Sequence, residues 1–331
     1  MNNMDSSSFN RRQLLKGAVV LGVAGTVPLA LVTGAEAVNA GGKTPHMSIA
    51  DMAAIDAAMG KKGSYNEAQA TYTVLLPRND LKVTVKGDRI PIPFGFGGWV
   101  SVKRTLDGKS AVLMSDTVLL QEEVNPLISS VQVNGLELTA IHNHFLYEEP
   151  RIMYMHVHGM GSPIDLITRY AAAIKETKLF PANQPLPGPP PEKFGDDIFN
   201  MAALDAITNY KAMVGGPTIK YTVGRSDLRV LAMGAEITTA IGLNSWAAFA
   251  GTMDKAHIAG DIAMLAPEVN PVIRALRRNN LEVVAVHNHM LGEQPRIEFL
   301  HYYGTGPAVA LAQGFRAALD ELGRHGTRMM G

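Results

Sequence analysis

The sequence contains no cysteine among its 331 residues, and it carries no excess of charge of either sign. The missing thiols exclude disulfide bonds, thiolate metal sites and cysteine nucleophiles. The 30 basic and 30 acidic residues give a formal net charge of zero, so no nucleic-acid partner is expected. The apolar fraction of 47% is sufficient for a large hydrophobic core, which argues against a disordered chain.

A secretory signal peptide is predicted over residues 1–40. Arg11 and Arg12 precede an apolar stretch, and the small residues that end at Ala37 or at Ala40 suit signal-peptidase cleavage. The paired arginines resemble a twin-arginine signal, which implies export of the folded protein by the twin-arginine machinery to a periplasmic or secreted location. An uncleaved membrane anchor is the alternative. After cleavage, no remaining segment is apolar and long enough to span a membrane.

The rest of the chain contains an internal repeat. The segment "RNDLKV" matches "RSDLRV", "EEVNPLI" matches "PEVNPVI", and the two tryptophans, Trp99 and Trp246, lie at corresponding positions. We predict a first repeat domain over residues 48–178 and a second over residues 198–325. Residues 179–197 are rich in proline and are predicted to form a stiff linker. Two homologous domains packed about an approximate twofold axis are expected.

Each repeat has the same order of predicted elements. A short helix is followed by several strands, a helix that begins at the "EVNP" motif, two strands that carry histidines, and a final helix. In the first repeat the helices are predicted over residues 49–59, 123–135 and 162–177. This order predicts an α+β fold in which each repeat forms a mostly antiparallel sheet with a few helices.

The densest polar segments are "IHNHFLYEEPRIMYMHVHG" (141–159) and "VHNHMLGEQPRIEFLHYYG" (286–304). Strand alternation places His142 and His144 on one face of the first strand, together with Leu136, Leu138 and Ala140. A hairpin register that sets His142 opposite Tyr154 and Ala140 opposite His156 would bring His142, His144 and His156 together.

Imidazoles that converge with a carboxylate are typical ligands of a divalent transition metal such as zinc, iron, manganese or copper. The predicted metal ligands are His142, His144, Glu148 and His156 in the first copy, and His287, His289, Glu293 and His301 in the second. A metal-free site of histidines and carboxylates is one alternative, and purely structural hydrogen bonding is another.

Two further residues of the first copy are candidate catalytic groups. Glu149, or Glu148 if it is not a metal ligand, is predicted to act as a general base, and Arg151 is predicted to hold an anionic group of the substrate. The alternative for Arg151 is an ion pair with Glu148 or Glu149. His257, which lies outside both segments, is expected on the surface.

The duplicated histidine segments, each preceded by "EVNP", resemble the LppY/LpqO family of exported bacterial proteins, a family of unknown function that includes lipoproteins. The resemblance implies an exported protein with a duplicated domain, and it implies no particular reaction. Two functions therefore stay open. One is an exported metalloenzyme that acts on a small molecule or a cell-envelope component, and the other is a non-catalytic periplasmic protein that binds metal or a small ligand.

Overall fold

The computed structural model describes residues 42–324, so the predicted signal peptide lies outside the described residues. The elements of the first repeat, in chain order, are α1 (Ile49–Met59), β1 (Ser64–Asn66), β2 (Thr71–Pro77), β3 (Val83–Val85), β4 (Asp88–Ile90), β5 (Gly97–Arg104), β6 (Ala111–Leu120), α2 (Val124–Val133), β7 (Glu137–His142), β8 (Glu148–Glu149), β9 (Ile152–Gly161) and α3 (Pro163–Ile174).

The second repeat follows the same order after a segment with little regular structure, except that a short helix is added at its start and β8 has no counterpart. Its elements are α4 (Gly195–Ile198), α5 (Met201–Thr208), β10 (Met213–Gly215), β11 (Thr218–Gly224), β12 (Val230–Ala232), β13 (Ala235–Ile237), β14 (Asn244–Gly251), β15 (Ala256–Met264), α6 (Val269–Arg278), β16 (Glu282–His287), β17 (Glu298–Gly306) and α7 (Ala308–Leu319). None of the helices between residues 42 and 324 has the length and apolar character needed to cross a membrane.

Helix boundaries follow from local capping chemistry. The Ser48 hydroxyl accepts a hydrogen bond from the backbone N–H of Asp51 at the start of α1, and Gly60 ends that helix in the left-handed conformation at φ 62°. Ser162 caps α3 in the same way, with Pro163 in its first turn. The bounds predicted for the first helix from sequence are therefore confirmed.

Each repeat forms one six-stranded sheet with the same strand order. The first sheet runs β1-β2-β5-β6-β9-β7 and the second β10-β11-β14-β15-β17-β16. All the strand pairings among the described residues are antiparallel. The predicted α+β fold of two repeated halves is confirmed.

The outer face of each sheet packs on the helices of its own repeat. In the first repeat Val74, Val100 and Met155 of the sheet share a core with Ile55 of α1 and Tyr170 of α3. The second repeat has an equivalent core between its sheet and α5, α6 and α7. Burial of these apolar faces fixes the outer two layers of the molecule.

The inner faces of the two sheets pack against each other. Val118 and Tyr154 of the first sheet share a core with Ala259 and Tyr303 of the second. A further shared core joins Met114 to residues of β12, β13 and β17. The fold therefore has four layers in the order helices, sheet, sheet, helices, and any polar side chain on an inner face lies between the repeats.

A histidine centre between the two sheets

The predicted hairpin register of the histidine strands is confirmed. His142 lies opposite Tyr154 and Ala140 lies opposite His156 in the pairing of β7 with β9. The second repeat repeats this arrangement, with Ala285 opposite His301. Because His156 and Ala140 are a cross-strand pair, the imidazoles of His142 and His156 are diagonal neighbours, with ring centroids 4.9 Å apart.

One detail of the predicted alternation is wrong. Leu136 and Leu138 pack into the helix-facing core, whereas Ala140 and His142 face the other sheet. A bulge at Thr139 causes the switch, because an extra residue reverses the side-chain direction of the strand. The bulge also lets the Thr139 hydroxyl donate to the carbonyl of His289 in the other repeat, at 2.6 Å.

Six histidines, three from each repeat, form one cluster between the sheets. The closest contacts between two histidine rings all join different repeats. The rings of His142 and His287 are 3.7 Å apart, those of His144 and His301 are 3.7 Å apart, and those of His156 and His289 are 4.0 Å apart. The sequence predicts a cluster within each repeat, whereas the structure merges the two clusters into one.

Two groups of three histidines have ring nitrogens close enough to hold a metal ion. One group is His142, His287 and His301, and the other is His156, His287 and His289. Within each group one nitrogen per ring lies within 4.8 Å of the others. Three imidazole nitrogens around one tetrahedral ion lie about 3.4 Å apart, so small side-chain movements would complete either group.

Backbone carbonyls fix the protonation of three of these rings. The Nδ1–H of His156 donates to the carbonyl of Ser115 at 2.9 Å, and that of His301 donates to Gly260 at 3.1 Å. His287 donates likewise to Asn288 at 3.2 Å. A carbonyl only accepts, so Nδ1 carries the proton and Nε2 keeps its lone pair. All three Nε2 atoms are buried without a hydrogen-bond partner among the described residues, as a metal ligand requires.

Burial keeps the cluster neutral at physiological pH. It lowers the pKa of His156 and of His287 to about 3, and neighbouring imidazoles add to the shift. Burial, with further repulsion between the imidazoles, lowers the pKa of the other members well below the ordinary value, namely His142, His144, His289 and His301. Neutral imidazole is the form that binds metal.

The two glutamates that the sequence predicts as ligands belong to neither group. Glu148 lies in β8, and its carboxylate accepts from Arg151 at 3.1 Å and from the backbone N–H of Ile152. Glu293 accepts from the backbone N–H of Ile297 in the same way. The loop that carries Glu148 is held as a strand against β3, which directs it toward its own hairpin.

The two predicted catalytic residues also lie outside the cluster. Glu149 is exposed on β8, where it pairs with Thr84. Arg151 has a half-exposed side chain that forms the ion pair with Glu148, as the alternative interpretation expects. His257 is buried rather than exposed, and its Nδ1 lies 2.7 Å from the hydroxyl of Tyr303.

Two aspartates at the cluster were missed by the sequence reading. Asp116 of β6 pairs with His156, and Asp261 of β15 pairs with His301. The Asp261 carboxylate lies 3.3 Å from Nε2 of His289. Burial raises the pKa of Asp116 to about 7 and raises that of Asp261 well above its ordinary value. The sequence does contain a signal that could have identified them. Each aspartate is an ionisable residue inside an apolar strand, and the two aspartates are separated by the same number of residues as His144 and His289.

A cavity of about 150 Å³ adjoins the cluster, and equivalent residues of the two repeats face each other across it. The matched pairs include Trp99 with Trp246, Asp116 with Asp261, and His144 with His289. This pairing is the arrangement expected of two repeats related by an approximate twofold axis. Lys220 also lines the cavity, and its counterpart in the first repeat is Thr73.

Glycine makes room for the cavity at Gly242. This residue has φ 103°, and a Cβ there would lie 3.3 Å from the ring of Trp99 and 3.7 Å from Nδ1 of His289. A side chain would therefore be strained by the backbone and would press on both groups.

The fold and the site define a class of protein, a two-repeat α+β chain that buries a shared histidine cluster between its sheets. The chain belongs to the family described as Domain of Unknown Function (DUF1259), whose family model matches residues 53–176 and 202–321. The two matched segments coincide with the two repeats, so the duplication is a duplication of this domain.

Other comparisons add little to the family assignment. No curated protein matches the chain. The trimeric bacterial microcompartment shell protein PduB is similar at 12% identity over 78% of this chain and 89% of that chain, with a TM-score of 0.19. EtuB from Clostridium kluyveri is similar at 9% identity over 78% and 90%, with a TM-score of 0.18. Such TM-scores carry no argument about fold or function.

Proposed function

We propose that this protein binds divalent transition metal ions at the six-histidine cluster and that it is a metalloenzyme acting on a small molecule. The observation that carries the proposal is the set of buried Nε2 atoms of His156, His287 and His301, each held as an unprotonated acceptor by a carbonyl behind its ring. Buried acceptors without donors are costly unless a ligand satisfies them.

If each metal ion takes its ligands from both repeats, two ions use all six histidines of the cluster, and each histidine binds one ion. The group His156, His287 and His289 takes one ring from the first repeat and two from the second. Its equivalent is His301 with His142 and His144, whose Nε2 atoms lie 3.2 Å apart. We therefore propose two metal ions per chain, each with three imidazole ligands. Zinc, iron, manganese and copper are the candidates, and imidazole ligands favour zinc, iron or copper over manganese.

Three protein ligands leave a coordination position open, as catalytic metal sites require. A bound divalent metal supplies a Lewis acid that polarises a substrate and lowers the pKa of water. Asp261, 3.3 Å from Nε2 of His289, holds the orientation of that ring. Asp116 and Asp261 each have an Oδ1 without a hydrogen-bond partner among the described residues, so they can take the general-base role predicted for Glu149.

Metal storage or delivery is a second candidate function. The small size of the adjoining cavity favours it, because substrate sites usually enclose about 300 Å³ or more. A carrier would hold the metals without turning over a substrate. An enzyme would show activity that is lost together with the metal.

Metal content tests the proposal. We expect close to two metal equivalents in the purified wild-type protein by inductively coupled plasma mass spectrometry. The pair variants His142→Ala/His144→Ala and His287→Ala/His289→Ala should each lose metal. His158→Ala is the matched control, because His158 is buried on β9 two residues from His156 but belongs to neither group. A wild type without metal after reconstitution would contradict the proposal.

We further propose that the protein is exported and is a member of the LppY/LpqO group within its family. The support for export is the Arg11–Arg12 pair ahead of an apolar stretch, and the support for the LppY/LpqO group is the pair of histidine segments that each follow "EVNP". In a bacterial host we expect the wild-type chain in the periplasmic fraction and the Arg11→Lys/Arg12→Lys variant retained in the cytoplasm. Equal fractionation of the two chains would refute twin-arginine export.

A further inference from the structure

The lining of the cavity beside the histidine cluster pairs equivalent residues of the two repeats, except at Lys220 and Thr222 of β11. Three pairs of equivalent residues face each other there, as described above. Lys220 of β11 has no cationic counterpart, because Thr73 occupies the corresponding position of β2. Thr73 is already engaged, since its hydroxyl lies 2.7 Å from that of Ser101. The cavity thus has one cationic side.

The Lys220 ammonium has unused hydrogen-bonding capacity. It lies 4.2 Å from the centre of the Trp246 ring, and it forms no hydrogen bond or ion pair with any residue between 42 and 324. An ammonium offers three donors, and an aromatic face satisfies none of them as a hydrogen bond. Burial lowers the pKa of Lys220 to about 8, so the side chain remains mostly cationic at pH 7.

We infer that this cavity binds a compact anion, a carboxylate or oxyanion of about five non-hydrogen atoms, between Lys220 and the metal centre. The volume of 150 Å³ is about that of five water molecules in the liquid, which sets the size. This inference rests on the proposed function, since bound metal supplies the positive charge opposite Lys220 and offsets the two aspartates. The flat walls of Trp99 and Trp246 favour a planar group such as a carboxylate.

The protein contains its own reporter for this binding. Trp99 and Trp246 are the only two tryptophans of the sequence, and both line the cavity. We expect acetate, added to the metal-loaded protein, to change the intrinsic tryptophan fluorescence in a saturable manner. Methylammonium, a cation of similar size, should have no effect.

Two variants test the role of Lys220. Lys220→Met removes the charge, and Lys220→Thr installs the residue that the first repeat already has at this position. Both should weaken acetate binding at least about tenfold, because a hydrogen bond to a charged group is lost. The matched control is Lys103→Met. Lys103 is a second buried lysine, which donates to Thr238 and does not line the cavity. The Lys103→Met variant should bind acetate as the wild type does.

Metal content, measured on the same samples, separates the two proposals. Metal retained in both Lys220 variants with acetate binding lost supports the anion site. Saturable binding of methylammonium rather than acetate, or equal acetate binding by wild type and both Lys220 variants, would overturn it. If the wild type holds no metal but still binds acetate in a manner that depends on Lys220, the proposed metal centre is contradicted and the anion site is supported.

Discussion

His156→Ala is expected to remove one of two metal ions, and combining it with His289→Ala should remove no more. The reason is that His156 of the first repeat and His289 of the second belong to one group, with rings 4.0 Å apart. Combining His156→Ala with His144→Ala should instead remove both ions, because His144 contacts His301 of the other repeat at 3.7 Å. Loss of one of three ligands should weaken the affected site by at least about 100-fold.

Metal sites formed within each repeat, rather than between the repeats, would give the opposite pattern of metal loss in the two double variants. If His142, His144 and His156 formed one site, the His156→Ala/His144→Ala variant would keep one metal ion, and the His156→Ala/His289→Ala variant would lose both. Metal content and competitive titration with a chelator of known affinity distinguish the two outcomes. His158→Ala again serves as the control for a buried histidine replaced on the same strand, and near-UV circular dichroism verifies that each variant is folded.

Sequence periodicity predicts the strands and their register well in this protein. The spacing of His142, Tyr154 and His156 is sufficient to predict the hairpin pairing, since side chains of paired strands must share a face. The bulge at Thr139 could not be predicted in this way. A bulge depends on contacts outside the strand. Here Thr139 donates to the backbone carbonyl of His289 and accepts from the side-chain amide of Asn288, both in the other repeat.

The composition of the site was harder to predict than its strands. Periodicity indicates which face of a strand is apolar or polar, but it gives no information about which element packs on that face. The pairing of His144 with His301 is therefore visible only in the folded protein. For Glu148, the spacing from His144 suits a ligand, whereas the pairing of β8 with β3 could not be predicted from that spacing and places one carboxylate oxygen of Glu148 at Arg151.

Acid should unfold the metal-free protein between about pH 6.5 and pH 5. Each buried histidine has a folded-state pKa below its unfolded value near 6.5, so the unfolded chain binds more protons as the pH falls. Eight histidines behave in this way, namely His142, His144, His156, His158, His257, His287, His289 and His301. The destabilisation that they cause is absent above the pKa of histidine in the unfolded chain, and it grows as the pH falls below that value.

Asp116 and Asp261 act in the opposite direction over this pH range. Burial raises their pKa values, so in the folded protein they are protonated near pH 5 while the unfolded chain is ionised. Eight histidines against two aspartates leave the unfolded chain with several more bound protons than the folded protein, and each proton of this difference contributes up to about 1.4 kcal/mol of unfolding free energy per pH unit. Native stability is only about 5–15 kcal/mol, so acidification across this pH range should remove much of it.

Urea titrations at half-unit steps from pH 7.5 to 5 measure this dependence. Metal at 100 times its dissociation constant should add about 2.7 kcal/mol for each of the two sites and move the acid transition to lower pH, because it binds the neutral imidazoles of the folded state. His158→Ala should reduce the slope by about one proton and leave the shift by metal unchanged, since His158 lies outside both groups. A metal-free protein whose stability stays constant from pH 7 to 5 would show that the cluster is hydrated and protonated in the folded state.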